Sequence, residues 1–320
     1  SYSNTHSREG ETWPGPFDES ARLNINLANQ GLLMVLEDMT FDLADAIVDW
    51  VDADSDPGAF GVEADYYRAL TPPITPRNGR VRALAELELV AGVFPQSFRG
   101  EDWNLNGRLD PNENDAGYSL PYDQPDGLLE AGWSEFLTTY SVEGGPTMSG
   151  KPRAWLRAAD PVELAEQIGI TEAQAGSLIY FGRNPENTLE MLWDTPINQV
   201  GPDGTAGAQV VNAAAEPFTE EEIKRIFHEV TIADPLDRTP GRMNINTVSP
   251  RFLRDLLEML NEDPWLADEI VYVRETSPTG IAHMTDLLEI PELEQSLLDQ
   301  LTTLFTTNTA VFSVVSRGVS

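Results

Sequence analysis

The run Arg22-Leu23-Asn24-Ile25-Asn26 returns almost unchanged as Arg242-Met243-Asn244-Ile245-Asn246. A degenerate copy begins Arg153-Ala154-Trp155-Leu156-Arg157. Aligned on the arginine, each copy places a leucine eleven positions on, at Leu33, Leu164 and Leu253. Each then carries Ala-x-x-(Ile/Leu), at Ala44 with Ile47, Ala175 with Leu178, and Ala267 with Ile270. That second offset is 22 positions in the first two copies and 25 in the last. A shared opening, a shared apolar rhythm and a turn of variable length describe a helical unit used repeatedly.

Between these landmarks the pattern is mostly helical. Asn24 and Asn26 suit turn and cap positions, where a short amide side chain satisfies nearby backbone groups. Apolar residues from Leu27 to Val51 recur at helical spacing, with a turn near Glu37–Thr40. Val81–Val90 reads as an amphipathic helix ended by Gly92. Asp160 before Pro161 marks a helix start, and Thr219 with Glu222 forms a capping box. Helices are expected near 249–260, 264–275 and 292–305, and alternation over Val311–Ser316 predicts a strand. The fold class expected is mainly α with a small β part (α+β).

Fifty-three acidic against twenty basic residues leave a formal charge of −33. A charge of that size repels nucleic acid and anionic membrane surfaces and favours divalent cations. The chain has no cysteine, which removes disulfides and thiolate chemistry, and no apolar run of spanning length. Its three histidines, His6, His228 and His283, lack metal-site spacing. No phosphate loop, dinucleotide fingerprint or nucleophile elbow is present. No catalytic residue and no small-molecule substrate are therefore expected.

Asp102-Trp103-Asn104-Leu105-Asn106-Gly107-Arg108-Leu109-Asp110-Pro111-Asn112-Glu113 follows the EF-hand calcium pattern. Side-chain oxygens fall at positions 1, 3, 5, 9 and 12 as Asp102, Asn104, Asn106, Asp110 and Glu113. Gly107 permits the sharp turn at position 6, and Arg108 would offer its backbone carbonyl. Pro95–Phe98 and Pro111 do not read as paired signalling helices, so a structural ion is expected, with affinity on the order of 10⁻⁴ M or tighter. Asp115, Asp123 and Asp126 either complete that ion's shell, hold another ion, or make plain turns. Asp52, Asp54, Asp56 and Glu63 form a looser version, with Pro57 where the glycine belongs. Calcium is the cofactor expected.

Several runs resemble the K-type minor pseudopilin family of bacterial type II secretion. They are Asp18–Asn26, Ala46–Asp54, Glu63–Tyr67, Pro76-Arg77-Asn78-Gly79 and Leu84–Val93, with the Arg242–Asn246 copy and the terminal strand. The repeated units also resemble helix-hairpin-helix or SAM-like modules, although their acidic flanks argue against phosphate binding. The resemblance implies helical units inserted in a pilin-like sheet. The divisions expected are 1–20 with 306–320 (sheet), 21–97, a calcium insertion at 98–150, a degenerate repeat at 151–218, and 219–305. It further implies a non-enzymatic protein at the tip of a periplasmic pseudopilus, anchored in the inner membrane by a helix missing from this chain. Its partners would be the I- and J-type minor pseudopilins. Calcium ligands carried over by the resemblance are Asp49, Asp52, Asp54, Asp56, Glu63 and Asp65. The alternative reading is a calcium-dependent extracellular adhesion or scaffolding module.

Overall fold

The computed structural model describes residues 5–8, 11–14, 16–143, 147, 151–234 and 239–314. The end of the expected last strand, Val315-Ser316, lies outside these residues. The protein is mainly helical with short strands, an α+β chain. It divides into two compact units, Ser1–Ser141 with Pro240–Ser320, and Val142–Thr239.

Each sequence copy opens on a two-residue strand that pairs, in parallel, with a strand closing the same repeat. Leu23–Asn24 pairs with Leu137–Thr138, Ala154–Trp155 with Val230–Thr231, and Met243–Asn244 with Phe305–Thr306. All three closing strands are an apolar residue followed by threonine. The apolar member (Leu137, Val230 or Phe305) is fully buried in each case. These pairings tie the first residues of each repeat to its last.

In the first unit the two well-kept copies share one core, running from Leu23 and Ile25 through Trp50 and Phe98 to Leu253, Leu301 and Phe305. Their asparagines do the same work twice. Asn24 Oδ1 accepts from the Asn26 N–H, and Asn244 Oδ1 from the Asn246 N–H, both at 3.0 Å. The Asn26 side chain then brackets the backbone of Val81, accepting its N–H at 2.7 Å and donating to its carbonyl at 3.1 Å. Asn246 brackets Ile281 in the same way, at 2.7 and 2.9 Å. Asn24 and Asn244 thus act locally, as the cap reading implied, while Asn26 and Asn246 each pin a distant loop in these two copies.

The segment expected as an α-helix over 81–90 is instead a 3-10 helix, Leu84–Leu89. The reason lies in its spacing. Val81, Leu84, Leu87, Val90 and Val93 fall every third position and turn toward the core, and a 3-10 helix eclipses i and i+3 side chains. Ile281, Met284, Leu287, Ile290 and Leu293 repeat that ladder, with a 3-10 helix at Met284–Glu289. Gly92, at φ +81°, follows the first ladder, and a Cβ there would sit 2.7 Å from Leu43. Glu292 adopts the same left-handed backbone, φ +70°, after the second.

The longer helices follow their signals. Phe41–Val51, Pro250–Met259, Trp265–Thr276 and Gln295–Leu304 belong to the first unit. Near the chain's two ends, Thr5–Arg8 pairs with Glu11–Pro14, and Phe17–Asp18 pairs antiparallel with Phe312–Ser313. The expected strand over 311–316 is thus realised at Phe312–Ser313. No helix among the described residues is long and apolar enough to cross a membrane.

The second unit packs Pro161–Ile168, Glu172–Phe181 and Glu220–Glu229 around Leu164, Leu178, Phe181 and Ile226. Asp160 caps the first helix through the N–H groups of Val162 and Glu163, and the Thr219–Glu222 capping box is present. Its repeat motif has lost both asparagines, and Arg157 instead donates to the Gly182 carbonyl at 2.9 Å.

Candidate metal centre

The helix Phe41–Val51 ends at Asp52, and the chain then runs through an acidic loop to Ala64–Ala69, whose N-cap is Glu63. Trp50 and Tyr67 pack edge to face, 5.0 Å between centroids, and back this loop with buried aromatic surface. In front of them Asp52, Asp54 and Glu63 each bring a carboxylate oxygen to within 4.8 Å of the others. Among the described residues, this is the one group of three such side chains so placed.

Asn78 reaches the same place from a loop. Its amide nitrogen donates to the Asp54 carbonyl at 2.7 Å and to Glu63 Oε2 at 3.4 Å. A backbone φ of +41° aims it there, a conformation asparagine tolerates better than most residues. Three buried oxygens at this point, Asp52 Oδ1, Glu63 Oε1 and Asn78 Oδ1, have no hydrogen-bond partner. Buried oxygens are ordinarily paired, because leaving one unmade costs about 1–3 kcal/mol. Burial pushes the Asp52 carboxyl above its usual range, and the Asp54 and Asp49 charges push the same way. Oxygen-only donors with clustered negative charge fit a hard cation such as calcium.

Asp49, Asp56 and Asp65 stand apart from this cluster. Asp49 accepts the Gly58 N–H with both oxygens, at 3.0 and 3.2 Å, and so shapes the loop. Burial raises its pKa, with Glu63 and Asp45 adding to the effect. The backbone passes so close that a Cβ on Gly61 would lie 1.9 Å from Asp49 Oδ2. Neighbouring Asp45 accepts the Phe60 N–H at 3.0 Å. Asp56 is exposed and donates its N–H to Asp54 Oδ1 at 2.9 Å, while Asp65 projects into solvent beside Arg68.

The 102–113 loop forms the turn its pattern predicts, but its donors close on one another. Asp102, buried, accepts the N–H groups of Asn106 and Gly107, each at 2.8 Å. Glu113, 0% exposed, accepts from Trp103 N–H and Asp110 N–H, each at 2.9 Å. The side-chain amides of Asn104 and Asn106 both donate to Asp110 Oδ2, at 2.8 and 2.7 Å. Asn106 Oδ1 is buried without a partner, the one orphan that fits an ion here. Burial raises the pKa of Asp102 and of Glu113. Arg108 is exposed.

Asp115, Asp123 and Asp126 are turn residues in the structure. Asp115 accepts from Ser119 N–H at 3.1 Å and Ser119 Oγ at 2.6 Å. Asp123 accepts from Ala116 and Gly117, and Asp126 from Leu128. Of the weighed readings, the turn is the one their hydrogen bonds fill.

Asn78 lies in the Pro76-Arg77-Asn78-Gly79 run and is not among the ligands the sequence pattern marks. Its signal was an asparagine before glycine, a pair that also marks an ordinary turn.

Part of the chain is similar to known proteins. Residues 20–100 match the family model described as "Type II secretion system (T2SS), protein K". A curated protein named "Type II secretion system protein K", from Pectobacterium carotovorum subsp. carotovorum, is 41% identical over 54 residues. That stretch is 17% of this chain and 16% of the relative's length. Asp52, Asp54, Glu63 and Asn78 lie inside the matched segment, and the 102–113 loop lies beyond it.

Proposed function

We propose, from the match of residues 20–100 to the type II secretion protein K family model, that the chain is the head of a minor pseudopilin. It works by presenting surfaces and not by catalysis. It sits in the periplasm at the tip of a pseudopilus, and helps to start assembly with the I- and J-type minor pseudopilins.

Calcium is the proposed cofactor, held first by Asp52, Asp54, Glu63 and Asn78. The observation that supports this is the gathering of Asp52, Asp54 and Glu63 carboxylate oxygens within 4.8 Å of one another, with Asn78 hydrogen-bonded to two of these residues. The ion neutralises carboxylates that otherwise repel, and it ties Asp52, the Glu63 helix and the Asn78 loop into one piece. The 102–113 loop is proposed as a second site, which requires Asn104 and Asn106 to turn their amide oxygens inward.

Co-expression with the I- and J-type heads tests the assembly role. A stable stoichiometric complex in calcium supports it, and separate elution at micromolar concentration removes it. Calorimetric titration of calcium into chelator-stripped protein tests the cofactor independently.

A further inference from the structure

The loop 114–128 spends many hydrogen bonds on its own shape and yet turns large apolar side chains outward. Asp123 holds the N–H groups of Ala116 and Gly117 at 3.0 and 2.7 Å. Asn114 Oδ1 accepts from Gly127 at 3.1 Å, and the Asn112 amide donates to the Leu120 carbonyl at 3.2 Å. The buried Glu101 carboxylate accepts from Gln124 at 2.8 Å, anchoring the loop from beneath. On this frame Tyr118 is 94% exposed, Tyr122 79% and Leu120 56%, with Leu128 also exposed. The Tyr122 ring passes close to Gly117, where an added Cβ would lie 3.2 Å from it.

Tyrosines on a braced loop lose little conformational freedom on binding, which makes them effective anchors. Charge narrows the occupant. Residues 101–130 contain eight acids and one base, Arg108. Asp126 and Glu130 are exposed beside the apolar positions. An anionic membrane or a second copy of this chain, itself at −33, would be repelled.

We propose that Tyr118, Leu120 and Tyr122 form a docking tip for a cationic protein segment, one carrying Arg or Lys next to apolar residues. The apolar residues cover Leu120 and the ring faces, and the cations meet the tyrosine rings and the surrounding carboxylates. This surface is separate from the proposed calcium centre at residues 52–78, follows directly on the second proposed site at 102–113, and does not depend on the pseudopilin reading.

The test uses the full chain and a Tyr118→Ser/Tyr122→Ser variant, with melting curves to show that both are folded. Three synthetic peptides of equal length are titrated by fluorescence anisotropy, built from Arg-Pro-Leu, Arg-Pro-Ser or Glu-Pro-Leu repeats. The native protein should prefer the Arg-Pro-Leu peptide and ignore the acidic one. The variant should lose about tenfold of affinity for Arg-Pro-Leu while its weak binding to Arg-Pro-Ser stays the same. Equal binding of Arg-Pro-Leu by native and variant protein would mean only non-specific attraction to an acidic surface, and would overturn the proposal. So would Tyr-dependent binding to phosphatidylcholine vesicles or Tyr-dependent self-association in sedimentation, in place of peptide binding.

Discussion

The side-chain amide of Asn244 donates to the carboxylate of Asp18 at 3.2 Å, joining positions 226 residues apart. The same carboxylate oxygen accepts from Thr247 Oγ1 at 2.6 Å and Thr309 Oγ1 at 2.5 Å, and Oδ1 caps Ser20 N–H at 2.7 Å. One buried acid therefore links the strand Phe17–Asp18 to the third repeat and to the chain that follows it. Replacing Asp18 by Ala strands several buried donors at once. We expect a loss of about 3 kcal/mol in denaturant unfolding, with Asp18→Asn costing less.

Asn78 offers a cleaner test of the metal centre than any of the acids. Its removal changes no formal charge, so a lost calcium response cannot be ascribed to altered net charge. Asn78→Ala should weaken calcium binding by calorimetry about tenfold or more. It should also reduce the calcium-induced rise in melting temperature, since an ion at a hundred times its Kd contributes about 2.7 kcal/mol. An unchanged isotherm would remove Asn78 from the site.

Gly61 is a steric requirement of the same loop. An alanine methyl would collide with Asp49 Oδ2, whose carboxylate holds Gly58. Gly61→Ala should displace Asp49, loosen the 58–63 segment and lower both stability and calcium affinity. Asp49→Asn/Gly61→Ala should be no worse than Gly61→Ala alone, because the two act through one contact.

The 102–113 loop should behave differently. Asp102 accepts two backbone N–H groups of its own loop. Asp102→Ala should therefore lower the melting temperature in chelator as well as in calcium, by the equivalent of about 1–3 kcal/mol. Asn106→Ala removes one hydrogen bond to Asp110 together with an orphaned oxygen, and should lower the melting temperature more in calcium than in chelator. Thermal melts of both variants in both buffers distinguish the two roles.

Acidity should stabilise the calcium-free protein over a limited window. Burial raises the folded pKa of Glu101, Asp102, Glu113 and Asp255 above the ordinary carboxylate value. For such groups the fold favours the neutral acid. Their contribution is fully present below the unfolded pKa of about 4, and it is lost as pH rises through the folded value. Asp42, Asp115, Asp203 and Glu220 are shifted down by hydrogen bonds and oppose this, but all are solvent-screened at the surface. In chelator the melting temperature should be higher near pH 5 than near pH 7. Calcium, by favouring the ionised carboxylates, should shrink that difference.

The duplicated helical unit, its caps at Asp160 and Thr219, and the turn at Gly107 were all legible from local spacing, because each depends on residues a few positions apart. The 3-10 ladders at Val81–Val93 and Ile281–Leu293 show a strict period of three in the sequence, which over so short a run is close to the α-helical period. The closing strands at Thr138, Thr231 and Thr306 carried too short a signal to identify alone. Which acidic run gathers its oxygens was a different matter. By pattern, 102–113 is the stronger calcium loop, whereas the structure brings Asp52, Asp54 and Glu63 together and delivers Asn78 to them from a loop that begins beyond the next helix. Sequence by itself determined the elements, their capping and the acidic character of the loops, all set by short-range sterics and charge. Tertiary structure alone decided which carboxylates converge and which spend their oxygens on backbone N–H groups, because that depends on where packing of the Trp50–Tyr67 core places separate loops.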